Sequence, residues 1–182
     1  MKDRSPERVP RTAGLRETVG KYLPDLILGA NDGIITTLAV VSSVEGADLS
    51  VRVILILGFA NLVADGLSMG ASNILSRRSR VGEGALPSIT RAGRYGAATF
   101  LGFVIFGLVP LLAYLLPGVG IDRFLLATGL ALTTLFLVGA GRAIFTGRNW
   151  LMSGAEMLIL GTLAAGAAYG IGMLGAAFTG SL

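Results

Sequence analysis

The chain has 182 residues and a formal net charge of +4, and 53% of it is hydrophobic before its 27 glycines are counted, already above the ~45–50% that soluble domains reach with glycine included. Only 14% is charged, against ~25% in soluble domains, which excludes an ordinary water-soluble domain. With no histidine and no cysteine, Ser-His catalysis, thiolate nucleophiles, disulfides, zinc ribbons and iron–sulfur clusters are excluded, so no enzyme and no bound cofactor is expected.

In chain order, residues 1–21 read as a cytoplasmic tail. Residues 1–11 look disordered, and Leu15, Val19 and Leu23 then recur at four-residue spacing beside Arg16 and Lys21, the pattern of a short amphipathic helix lying on the membrane surface. Five apolar spans follow, at about 22–44, 51–75, 95–116, 121–140 and 155–178, each long enough at ~1.5 Å per residue to cross ~30 Å of hydrocarbon. Residues 22–182 therefore form one all-α polytopic membrane domain. The first span is too long for a cleaved signal peptide and is interrupted by Asn31 and Asp32. Pro110 is placed to kink the third span.

Charge gives the orientation. Lys2, Arg4, Arg8, Arg11, Arg16 and Lys21 precede the first span; Arg77, Arg78, Arg80, Arg91 and Arg94 follow the second; Arg142 and Arg148 follow the fourth. Only Arg52 and Arg123 fall on the other side, which places the N-terminus in the cytoplasm and the C-terminus outside. Tyr22, Tyr95 and Trp150 then form an aromatic belt at the inner interface. These cations flank spans without an aromatic-interleaved stripe, so no nucleic-acid partner is expected. The segment from Ser76 to Arg94 reads as a flexible or short-helical connector with one acid, Glu83, among five arginines. Those arginines would repel divalent cations over a Debye length of ~8 Å and lower apparent metal affinity.

An ionisable residue at bilayer depth costs at least ~2.5–3.5 kcal/mol and is a functional-site hypothesis by default. Asp32 and Asp65 qualify: counted from the cytoplasmic ends of two antiparallel helices, they lie at one depth, with Met69 about a turn below. Asn61, Asp65, Met69 and Asn73 recur at four-residue spacing with Ser68 and Ser72 beside them, and Asp25, Asp32 and Thr36 share a face of the first helix. Two polar faces at matched depth imply a lined path or a buried binding site; the alternative is a pair of acids that only join helices in a scaffold protein. Carboxylates and amides suit divalent cations, and the Met69 thioether shifts the preference towards Fe²⁺ or Mn²⁺. Two carboxylates held together in low dielectric would exchange a proton for the ion. The candidate metal site is Asp32, Asp65 and Met69 with Asn61 in support. Glu156, at the mouth of the fifth span, reads as a solvated interfacial carboxylate. Gly66 and Gly70, and Gly166 and Gly170, are small-residue contact motifs that predict tight packing within or between protomers.

Leu28-Gly-Ala-Asn-Asp-Gly-Ile-Ile-Thr-Thr37, then Gly58-Phe-Ala-Asn-Leu-Val-Ala-Asp-Gly-Leu-Ser-Met69, and later Gly147-Arg-Asn-Trp-Leu-Met-Ser-Gly-Ala-Glu-Met157, are similar to the vacuolar iron transporter family, including its bacterial members. The resemblance implies five helices, a homodimer, and Fe²⁺ or Mn²⁺ moved out of the cytoplasm in exchange for protons. It further implies a path at the dimer interface beside the first helix, with Asp32 and Met69 at the ligand positions. Two departures stand out. The vacuolar branch has a long glutamate-rich capture domain where this chain has Glu83 alone, and it carries an acid at the position of Asn61, whereas this chain has Asp65 one turn later. The expected location is a bacterial inner membrane, or the vacuolar membrane in a eukaryote.

Overall fold

The computed structural model describes residues 11–79, 88–116 and 120–180, with the backbone alone for 11–19 and 144–145. These form five α-helices: α1 (Arg11–Gly46), α2 (Val51–Ser79), α3 (Ile89–Leu115), α4 (Arg123–Thr146) and α5 (Trp150–Thr179). No strand occurs among the described residues. Each helix contains a stretch long and apolar enough to cross a membrane, from 21 residues in α4 to 30 in α5. The chain is an integral membrane protein with the five spans read from hydropathy.

The helices outrun the predicted spans at their basic ends. Residues 76–79 extend α2 and residues 89–94 open α3, so much of the predicted connector is helical. Hydropathy marks where lipid ends, whereas backbone hydrogen bonding carries a helix on into the interface. The amphipathic stretch expected ahead of the first span is helical and continuous with α1, with Pro24 inside the helix. The side chains of Leu15 and Val19, the tail 1–10, and the connector residues Arg80 and Glu83 lie outside the described residues.

Short connections with specific stops make neighbours antiparallel. Between α1 and α2 the chain turns in residues 47–50, with Asp48 in the left-handed region at φ 53°. Asp122 caps α4 by accepting from the Leu125 amide at 2.8 Å, and Gly147 closes it at φ 63°, a conformation a side chain would strain. Asn149 then caps α5 by accepting from the Leu151 amide at 2.9 Å. α3 continues through the fully buried Pro110 to Leu115, although the proline ring cannot donate to the preceding turn.

α1 and α3 form the centre of the bundle. Ile34, Leu38 and Val41 of α1 and Phe103 and Leu111 of α3 are fully buried, joined by Leu62 of α2 and Leu135 of α4. The α1–α3 contact is backbone on backbone: a Cβ at Gly29 would strike the Thr99 carbonyl oxygen, one at Gly33 that of Phe103, and one at Gly102 that of Leu26. In lipid, where burial supplies no drive between helices, such close approach is what binds them. Of the predicted small-residue motifs, Gly66 and Gly70 pack on α3 against Phe100 and the Gly96 carbonyl. A Cβ at Gly166, Gly170 or Gly175 of α5 would meet nothing within 4 Å, so that motif is not packed closely on another helix among the described residues. α5 is the least buried helix of the protomer, exposing Ile159, Leu163, Ile171 and Leu174.

Candidate metal pathway

Asp32 sits half-buried in the middle of α1 and opens into a cavity of about 670 Å³. Asn31 of α1, Met69 of α2, Arg142 of α4 and Met157 of α5 share its lining. The antiparallel packing of α1 and α2 thus brings the predicted carboxylate and thioether, 37 positions apart in the sequence, to one space. Asp65 is half-buried on α2, but neither it nor Asn61 lines this cavity. Asn61 is half-buried, and its amide nitrogen has no hydrogen-bond partner among the described residues.

Two potential ligands escaped the sequence reading. The Asn31 side-chain oxygen is buried without a donor, and an orphaned acceptor beside a carboxylate is a donor atom for a cation. Met157 adds a second thioether, from α5. Asn31 was visible as the neighbour of Asp32 in Asn-Asp-Gly; for Met157 the sequence carries no signal beyond the family-like stretch that holds it. Among the described residues, no three carboxylates converge. An ion here would be held by one or two carboxylates and neutral donors.

Asp25 and Thr36, expected on the same path as Asp32, are otherwise engaged. The Thr36 hydroxyl donates to the Asp32 backbone carbonyl at 2.8 Å. Asp25, 5% exposed, faces a second cavity of about 730 Å³ at the basic end. There the Arg77 Nη2 donates to both its carboxylate oxygens, at 2.7 and 2.8 Å, and the Asn73 amide donates to Asp25 Oδ1 and to Thr99 Oγ1, each at 2.7 Å. Arg77, expected to be a solvated loop cation repelling metal, is therefore an ion-pair partner on the last turn of α2. Tyr95 faces its guanidinium 3.8 Å from the ring centre. Glu156 is the interfacial carboxylate the sequence suggested, paired with Arg148 at 2.8 Å; a pair this exposed adds at most about 1 kcal/mol.

The family model described as the VIT family matches residues 23–82 and 81–173, nearly all of the membrane domain and both cavities. This chain belongs to the VIT family. Among VIT relatives, the vacuolar iron transporter of Toxoplasma gondii is 26% identical over 86% of this chain and 75% of its own length. Vacuolar iron transporter 1 of Oryza sativa is 24% identical over 85% of each. Vacuolar iron transporter homolog 1 of Arabidopsis thaliana is 29% identical over 83% of this chain and 82% of the relative. The VIT match is carried by the whole bundle, since it spans all five helices, and not by the Asp32 turn alone.

Proposed function

We propose that this VIT protein transports Fe²⁺ or Mn²⁺ across a membrane, out of the cytoplasm and in exchange for protons, and that it works as a homodimer. The observation that carries the reading is the meeting of Asp32 and Met69, from two helices, in one cavity within the spans. A carboxylate and an amide oxygen bind any divalent cation, whereas thioethers favour Fe²⁺ and Mn²⁺ over Mg²⁺ and Ca²⁺. Proton exchange follows from the same atoms, because a metal and a proton compete for one carboxylate. The names of the relatives support iron as a substrate. Dimerisation is supported by α2, which leaves Asn61 and Asp65 only half-buried and Ser68 exposed in the protomer, polar groups that lipid would not solvate. With the basic end in the cytoplasm, transport runs outward across a bacterial inner membrane or into a vacuolar lumen.

The test is Mn²⁺ entry into liposomes that hold the purified protein and a divalent-sensitive dye; no quenching above empty liposomes would favour the scaffold reading. In the same assay Met69→Leu, which keeps volume and apolarity, is expected to cut Mn²⁺ transport by about tenfold with a smaller effect on stability. A wild-type rate would remove Met69 from the ligand set. Orientation is checked by labelling on the cysteine-free background: Ser50→Cys should react from outside and Ser79→Cys from the cytoplasm. Reversed labelling would overturn the direction assigned to the basic end.

A further inference from the structure

Arg77 engages three oxygens at once. Its Nη2 holds both carboxylate oxygens of Asp25, and its Nε donates to Asn73 Oδ1 at 2.9 Å. Those are the atoms a hard divalent cation would take. Asn73 is fixed for the purpose: its nitrogen is committed to Asp25 and Thr99, which turns its oxygen towards the guanidinium. The two charged partners differ in freedom, for the Asp25 side chain is 6% exposed and that of Arg77 38%. The carboxylate is set into the helix junction, and the guanidinium reaches it from the cavity.

The two cavities share a wall. Met69 and Leu28 line both, and Asp25 lies seven residues before Asp32 on α1, about 10 Å along the axis. A cation at Asp25 would be one step from Met69 and two from Asp32.

We infer that Asp25 and Asn73, the latter oriented by Thr99, form a second cation site ahead of Asp32, and that Arg77 is its built-in stand-in cation, which a divalent ion must displace to bind. The inference rests on the transport reading above. Its donors are one carboxylate and the Asn73 amide oxygen, which accept hard divalent cations and leave discrimination to the thioether-bearing cavity beyond. Competition with Arg77 keeps the affinity low, as a site on a conduction path requires if the ion is to leave it.

Mn²⁺ transport by the full chain in dye-loaded liposomes, with Asp25→Asn, Arg77→Gln and the double variant, tests this. Arg77→Gln should lower the half-saturating Mn²⁺ concentration about tenfold, and Asp25→Asn, which removes the ligand and leaves Arg77 unpaired, should raise it about tenfold. In the double variant it should return to within about threefold of wild type. A pair that only clamps helices would leave half-saturation unmoved in every folded variant. Should Arg77→Gln fail to fold, Asp25→Asn against the double variant decides the matter, and equal values overturn the inference. Equilibrium Mn²⁺ binding in an Asp32→Asn background separates this site from the transport reading. There, added Arg77→Gln should bind Mn²⁺ more tightly than added Asp25→Asn even if the wild type transports nothing, and no difference between them overturns the second site.

Discussion

Asp32→Asn is expected to reduce Mn²⁺ transport by about 100-fold or more if Asp32 is the ligand proposed above, since removing a ligand costs at least what disturbing its supporting shell does. The folded protein should survive. The amide keeps the volume of the carboxylate and is cheaper to hold away from water, and the Asp32 side chain forms no hydrogen bond or ion pair with a described residue that would be lost. Asp25 differs in being tied to α2 and, through Asn73, to α3. Asp32 has no such tie among the described residues, so its charge is not accounted for by helix pairing. Transport and size-exclusion profiles of Asp32→Asn and Asp65→Asn provide the check. Wild-type transport in both, with an unchanged pH profile, would make both acids structural.

The largest effect on folding is expected at the α1–α3 contact. Gly33→Leu or Gly102→Val drives a side chain into a backbone carbonyl of the facing helix, and because backbone cannot rotate aside as a side chain does, each should cost more than about 3 kcal/mol. Neither variant should yield a monodisperse protein in detergent. Gly166→Ala and Gly170→Ala, which meet open space, are the controls, with changes within about 0.5 kcal/mol of the protomer's stability. A well-folded Gly33→Leu would show that the helices separate readily. Dimer loss without unfolding in the α5 variants would place the partner subunit on that helix.

Much of this was legible in the sequence, and the remainder has a common cause. Hydropathy located the spans because lipid imposes a length on them, and four-residue spacing placed Asp65, Met69 and Asn73 together because a helix repeats every 3.6 residues. Periodicity assigns a residue to a face but not the face to a neighbour. The Asp25–Arg77 pair spans 52 positions, and Arg77 looked like an interfacial cation because the charge asymmetry across the membrane already accounted for it. Gly29 and Gly33 entered only as part of the family-like stretch around Asn31 and Asp32, and the facing carbonyls of α3 show their packing role. Gly166 and Gly170 of α5 have the same spacing and face open space in the protomer, whereas Gly172 of the same helix lies against the Ser43 carbonyl. Met157 could be joined to Asp32 only once α5 was known to pack beside α1.

The glycine contacts also fix the kinematics of the bundle. Two helices whose main chains touch at Gly29, Gly33 and Gly102 cannot slide past one another without a carbonyl meeting a Cα hydrogen at every step, so α1 and α3 move as one rigid body. The same close approach ties α5 to α1, where a Cβ at Gly46 or Gly172 would strike the Tyr169 or Ser43 carbonyl oxygen, and α2 to α3, where Gly70 and Gly96 meet main chain to main chain. Asp32, Met69 and Met157 therefore share one stationary frame. A change of access falls to side chains such as that of Arg77, which reaches Asp25 from the cavity, and not to the swing of a single helix.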